Sequence, residues 1–338
     1  MSLAYGVLAG GGLCARTDDR VLDLSHVAGS LDELMARGPD AWSPPLDGPE
    51  LDDPQLTLPL TVADYVDFYS SLHHASNVGL MFRPDAEPLL PNWRQMPVGY
   101  HGRAGTVVPS GTPIRRPAGQ RGPGDFGPTG ALDIELELGF VIGVPSDEPV
   151  PVERALDHVF GAVLLNDWSA RDIQGWEYRP LGPFLGKSFA TSISSWVVPL
   201  SELESLRVEA EPQVPEPLPY LLEPAWGYDI PLEIELNGAV VARSNARFLY
   251  WSIAQQIAHL TSNGAGLRVG DLLGTGTISG PEPEQRGCLL ELSWAGRDPI
   301  ALPDGSARTF LEDGDEVVLR GQPLGEVRGA IEPGGGST

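Results

Sequence analysis

The sequence predicts an α+β protein that is mostly β. Three observations carry this. Short apolar runs recur along the chain with turn signals between them. Gly (41) and Pro (33) are plentiful and spread through all 338 residues, as they are where short strands are joined by tight turns. Only a few stretches show a helical period.

The elements follow in order. Residues 1–56 read as a small separate β unit: strands at AYGVLAG and RVLDLSHV, a short helix at SLDELMARG, then the linker PDAWSPPLDGPELDDPQ. Residues 57–338 read as one larger domain. Its strands are GTVVPSGTPI, ALDIELELGFVIGV, SSWVVPL, DIPLEIELNGAVVARS, GDLLGTGTISG, CLLELSWAG and DGDEVVLRG. Its helices are SSLHHASNVGLMF, VERALDHVFGAVLL and FLYWSIAQQIAHLTSN, the last stopping at Asn263-Gly264. EAEPQVPEPLP is a loop inside this domain.

A formal net charge of -24 argues against nucleic acid or an anionic membrane as partner. The two cysteines, Cys14 and Cys288, form no metal-type spacing, and a reducing cytoplasm is the default. MSLAYGVLAGGGLCAR has no basic n-region and its apolar run is broken by glycines, so it does not read as a signal peptide. No apolar run of about 18 residues is present to cross a bilayer.

Four constellations could carry chemistry. In ALDIELELGFVIGV, Asp133, Glu135 and Glu137 fall on one face of a strand. Such a face is ordinarily solvated, but this strand runs straight into GFVIGV, apolar on both faces. Buried acids there need a cation or protons, and Ca²⁺ and Mg²⁺ take oxygen ligands of this kind. In DYVDFYSSLHHASN, Asp67 and Tyr69 share a face of an extended segment, and Ser70 or Ser71 caps a helix carrying His73 and His74. The segment LLNDWSARDIQGWEYRPLGPFLGKSFATS gathers Asp167 at a strand end with Arg171, Asp172, Gln174, Glu177, Tyr178 and Lys187, a mixture of aromatics and charge that suits a cleft. Lys187 is the only lysine in the chain. Arginine stands at the other cationic positions, so the survivor marks either a place that needs a compact ammonium or a lysine that a lysine-poor lineage keeps by chance. In GTGTISGPEPEQRGCLLELSW, Thr277 lies among glycines and Glu291 interrupts an apolar strand, where it needs a partner such as a histidine.

NWRQMPVGYHGRAGTVVPSGTPIRRPAGQ, LDIELELGF, LNDWSARDIQGWEYRPLGPFLGKSF, GTISGPEPEQRGCLLELSW and FLEDGDEVVLRG, spread over residues 56–322, resemble the fumarylacetoacetase family of β-diketone hydrolases, which close tyrosine and phenylalanine catabolism. The resemblance implies a β-roll catalytic domain of the fumarylacetoacetate hydrolase type behind a small SH3-like β-barrel, in a homodimer. It implies Asp67, Glu135, Glu137 and Asp167 as ligands of a Ca²⁺ or Mg²⁺ ion. His74 would be the general base, oriented by Glu291. Tyr69, Arg83, Gln174, Tyr178 and Thr277 would contact substrate, and Arg171, Gln174 and Lys187 would meet developing negative charge. Lys187 and Thr191 would line a second, structural Mg²⁺ site. Two departures stand out: Ala190 replaces the glycine before that threonine, and the N-terminal unit is shorter than usual. His73 replaces a longer polar side chain.

The reaction so implied is hydrolysis of a carbon–carbon bond in a 1,3-diketone, fumarylacetoacetate giving fumarate and acetoacetate. A related acylpyruvate or other β-diketone hydrolase is the alternative. A non-catalytic acidic Ca²⁺-binding protein is a third reading, and it has no use for His74, Glu291 or Lys187.

Overall fold

The computed structural model describes residues 3–18 and 20–335. The centre is a mixed eight-stranded sheet. Its strands run Gly99–His101, Tyr65–Phe68, Leu272–Gly274, Leu136–Ile142, Val159–Asp167, Thr191–Ile193 and Val107–Pro109, with Val198–Pro199 beside Val159–Asp167. Every residue of Leu136–Ile142 and Val159–Asp167 is buried. Both faces of the sheet are therefore covered, which explains the near-continuous apolar runs.

The covering differs by face. Leu136, Leu138, Phe140, Ala162 and Leu164 join a large core with Leu232, Ile234, Leu319 and Val327 of a second, five-stranded sheet. Val141, Val163, Leu165 and Leu272 join a core with Tyr5, Leu13, Leu31 and Leu34 of the N-terminal residues. The alternation is the two-residue period of a strand read from both sides. In the five-stranded sheet, Pro231–Leu236 and Ala239–Asn245 form a hairpin whose turn residues Asn237 and Gly238 have φ of 50° and 78°. Asn-Gly is the favoured pair for such left-handed turn positions.

Several local expectations change. The N-terminal residues form four antiparallel strands, Ala4–Val7, Leu13–Thr17, Arg20–Asp23 and Glu50–Leu51, where two were expected. The helix there, Leu31–Ala36, is capped by Ser30. VERALDHVFGAVLL is helical only over its first half, a 3₁₀ turn at Val152–His158; the rest is the central strand Val159–Asp167. Apolar periodicity does not separate a buried strand from a buried helix. The third helix begins at Ile253, because Ser252 and Gln255 form a capping box there. CLLELSW was expected as a strand, but Leu289–Leu292 is a single helical turn. The acidic strand is also interrupted: Leu132–Asp133 pairs with Ser169–Ala170, and Leu136–Ile142 is a separate strand of the large sheet. Asp133 therefore does not share one continuous face with Glu135 and Glu137. No helix among the described residues is long and apolar enough to cross a membrane.

Candidate active site

The large sheet places the acids. Asp67 lies in Tyr65–Phe68, Glu137 in Leu136–Ile142, and Asp167 ends Val159–Asp167. All three share the sheet face that carries Tyr65, Val141, Val163 and Leu165. Glu135 joins them from the break before Leu136. One carboxylate oxygen from each of Asp67, Glu135, Glu137 and Asp167 lies within 4.8 Å of the others, and all four residues are buried.

Cations sit on one side of this cluster. The Lys187 ammonium donates to Glu135 and, at 2.7 Å, to Asp167 Oδ2. Asp167 also accepts from Tyr100 Oη at 2.8 Å and Thr191 Oγ1 at 2.9 Å. The Arg171 guanidinium lies 2.8 Å from Glu135 Oε1, donates to Asp133 Oδ2 at 2.8 Å, and reaches Gln174 Oε1 at 3.3 Å. On the other side, Glu137 Oε2 accepts from the Gly276 backbone N–H at 3.0 Å. Asp67 Oδ1 and Glu137 Oε1 are buried without a hydrogen-bond partner among the described residues. The adjoining residue, Gly274, leaves room: a Cβ there would lie 2.7 Å from Asp67 Oδ1 and 3.1 Å from Glu137 Oε2.

The protonation pattern follows the cations. Burial pushes Asp67 up to about 8, with the Asp167 and Glu135 charges adding to it. Burial and the neighbouring acids raise Glu137 well above the carboxylate range. Burial acts on Glu135 too, but Lys187 and Arg171 outweigh it and hold Glu135 low. Two orphaned oxygens on acids that otherwise hold protons, in an all-oxygen donor set, fit a hard divalent cation.

A pH dependence follows. Asp67 has an ordinary value near 3.9 when unfolded and about 8 when folded. Between those values the folded, cation-free chain binds the extra proton, so its stability falls as pH rises from about 4 to 8, by up to about 1.4 kcal/mol per pH unit for each such proton. Thermal unfolding in chelator should show this decline, and added Mg²⁺ should stabilise far more at pH 8 than at pH 5. Equal stabilisation at both would contradict the assignment.

The second cluster is a dyad. His74 sits one turn into the helix Leu72–Phe82, whose N-cap Ser71 accepts from the His74 backbone N–H. His74 Nδ1 lies 2.6 Å from Glu291 Oε2, and both side chains are buried. Glu291 is well held: Asn77 Nδ2 donates to Oε1 at 2.8 Å, and Ser279 Oγ and Cys288 Sγ donate to Oε2 at 2.7 and 3.2 Å. Burial opposes its ionisation, but His74 and these donors outweigh burial and hold Glu291 at about 2. The Tyr69 ring stands edge-on to His74, centroids 5.2 Å apart.

The remaining expected residues are spread around these clusters. Thr277 Oγ1 is buried and unpartnered among the described residues. Arg83 ends the His74 helix, and its guanidinium donates to Pro88 O at 2.6 Å. Tyr178 is exposed beside Arg179. Neither of these two side chains is tied to the clusters by a hydrogen bond among the described residues. Sequence reading passed over Tyr100, Asn77, Ser279 and the partner of Asp133. Asn77 was accessible: it is three residues past His74 on one helix face. Tyr100 lies in a quoted motif, but nothing local points it at Asp167.

The family model for the C-terminal domain of fumarylacetoacetate hydrolases matches residues 64–332, a span that contains both clusters. The chain belongs to the fumarylacetoacetate hydrolase family. It is 53% identical to the fumarylacetoacetases of Bos taurus and Homo sapiens over 285 residues, covering 80% of this chain and 68% of theirs. It is 52% identical to that of Arabidopsis thaliana over 287 residues, with the same coverage. Among solved structures, a fumarylacetoacetate hydrolase from Exiguobacterium antarcticum aligns with TM-score 0.67 at 19% identity, over 98% of this chain and 100% of that one. A 5-carboxymethyl-2-hydroxymuconate delta-isomerase from Mycobacterium smegmatis aligns with TM-score 0.61 at 20% identity, over 99% and 100%. The family fold thus hosts isomerases as well as hydrolases, and the reaction must be argued from the site.

Proposed function

We propose that this chain hydrolyses fumarylacetoacetate to fumarate and acetoacetate. The observation that carries the reading is the buried His74–Glu291 pair in a chain 53% identical to fumarylacetoacetases over 285 residues. Glu291, held ionised, can only accept, so the proton of His74 sits on Nδ1 and Nε2 keeps a lone pair. His74 Nε2 takes a proton from water. The water oxygen bonds to a carbonyl carbon of the diketone. The bond from that carbon to the central carbon breaks, and its electron pair leaves on the acetoacetate fragment as an enolate. The proton on His74 is then delivered to the central carbon of the departing enolate, which becomes the methyl group of acetoacetate. Glu291 stabilises the imidazolium in between.

Asp67, Glu135, Glu137 and Asp167 would hold a divalent cation, Ca²⁺ or Mg²⁺. When bound, it supplies polarisation of the dicarbonyl oxygens and a counter-charge for the enolate. Arg171 and Lys187 offset the carboxylate charge, so that an anionic substrate can enter. Tyr69, Arg83, Gln174, Tyr178 and Thr277 are the proposed substrate contacts; the unpartnered hydroxyl of Thr277 supports its place among them. A second Mg²⁺ beside Thr191 would have to use backbone carbonyls of Lys187 and Ala190, since the Lys187 ammonium is committed to Glu135 and Asp167. A division near residue 56 between an SH3-like barrel and the catalytic domain, a homodimer, and a place in cytoplasmic tyrosine and phenylalanine catabolism complete the reading.

The test is the absorbance of fumarylacetoacetate on addition of the chain, with Mg²⁺ and with chelator, and chromatography of the products. Loss of absorbance only with cation, giving fumarate and acetoacetate, supports the reading. Cleavage of an acylpyruvate with fumarylacetoacetate untouched would replace it with the related hydrolase.

A further inference from the structure

Asp133 is fully buried and fully engaged, yet it belongs to neither cluster. Its Oδ1 accepts from the backbone N–H of Ile134 at 2.8 Å and of Leu289 at 2.7 Å. Its Oδ2 accepts from Arg171 Nε at 2.8 Å and the Leu290 N–H at 3.0 Å. We propose that Asp133 is a positioning residue that joins the two halves of the site, holding at once the helical turn that carries Glu291 and the guanidinium that faces Glu135. The proposal rests on the assignment of those two halves above.

The first arm follows from the turn itself. The opening N–H groups of a helix have no internal acceptor. In Leu289–Leu292 the cap residue is Cys288, which makes no side-chain cap. Asp133 supplies the missing acceptor from across the fold, to the first two residues of the turn. Glu291 is the third. The second arm runs through Arg171, which spans from Asp133 to Glu135 Oε1 at 2.8 Å and whose side chain is 9% exposed. The break in the acidic strand makes both arms available. Because Leu132–Asp133 pairs with Ser169–Ala170 while Leu136–Ile142 pairs with Val159–Asp167, Asp133 is freed from the face of Glu137. A shift of Asp133 therefore moves an acid of the cation cluster and the carboxylate of the dyad together. An isolated helix cap would move only the second.

Two readouts separate these roles, and neither needs substrate. The first is the affinity of the chain for Mn²⁺, by electron paramagnetic resonance. The second is the far-downfield proton resonance of the His74–Glu291 hydrogen bond in cation-free protein. Asp133→Asn should weaken Mn²⁺ binding about 10- to 100-fold, the usual effect of losing an outer-shell partner, and should shift or abolish the resonance. Asp67→Asn should change only the first, and Glu291→Gln only the second. Arg171→Gln leaves Asp133 to accept from the turn but removes the arm to Glu135, so it should weaken Mn²⁺ and spare the resonance. In the unmodified chain, Mg²⁺ loading should shift the amide resonances of Leu289 and Leu290. The proposal is overturned by an Asp133→Asn protein that moves one readout or neither, or by Leu289 and Leu290 amides unmoved by Mg²⁺. A chain that meets these expectations yet leaves fumarylacetoacetate intact would refute the reaction and keep the positioning role.

Discussion

Replacing His74 by alanine is expected to lower kcat for fumarylacetoacetate by about two to four orders of magnitude, the usual contribution of a positioned acid–base group. KM and Mg²⁺ affinity should change little, because His74 bonds to Glu291 and to none of the four acids. Glu291→Gln should come close to the same loss. The amide nitrogen would face either Asn77, which donates to Oε1, or Nδ1, Ser279 and Cys288, which donate to Oε2, and either way the charge that stabilises the imidazolium is lost. The pair should also be non-additive: His74→Ala with Glu291→Gln should be little worse than His74→Ala alone, since both remove one function. Steady-state kinetics of the three variants decide this. Full activity in His74→Ala would remove the base from the account.

The second large effect is expected at Lys187. Burial works against its charge, but Asp167 and Glu135 outweigh burial and raise its pKa further, so it stays an ammonium and does not serve as a base. Lys187→Met would leave Glu135 and Asp167 without that ammonium. Breaking a buried ion pair by removing one partner costs about 3–5 kcal/mol, and denaturant unfolding in chelator should show a loss of this size. Mg²⁺ should restore part of it. Lys187→Arg keeps the charge but adds bulk in a space already shared with Tyr100 and Thr191 around Asp167, and overpacking of this kind costs about 1–3 kcal/mol. That loss, with reduced turnover, would explain why a chain with 22 Lys plus Arg keeps its single lysine here. An Lys187→Arg protein as stable and active as the parent would mean the lysine is a survivor of chance.

Much of this site could be read before the fold was known. The alternation of Glu135 with Glu137 and the place of Asp167 at the end of an apolar run are local properties, whereas the grouping of these acids with Asp67 is what the resemblance to the family implies. The single lysine is a matter of counting. What could not be read depends on contacts between distant segments. Glu291 looked like a strand residue because LLEL is apolar, and the first two amides of its turn donate to Asp133, 158 residues from Glu291 in the chain. The strand at Val159–Asp167 was partly misread as helix because burial on both faces erases alternation. The break at 134–135 was invisible for a related reason: DIELEL alternates perfectly, while Leu132–Asp133 pairs with Ser169–Ala170 and Asp133 bonds to Arg171 and to the Leu289 and Leu290 amides. In the N-terminal residues, LCART directly follows the glycines 10–12 and EL has only two residues, and both strands are defined by pairing with their neighbours.

The central claim is that four buried acids form one cation site beside the dyad. Calorimetric titration of the chelated chain with Mg²⁺ at pH 7, repeated in buffers of different ionisation enthalpy, tests it most directly. The account predicts saturable binding with release of protons, because the acids that carry the orphaned oxygens hold protons until the ion replaces them. It predicts that Glu137→Gln abolishes this binding and leaves the fold intact. Binding that releases no protons, or that survives Glu137→Gln unchanged, would contradict it.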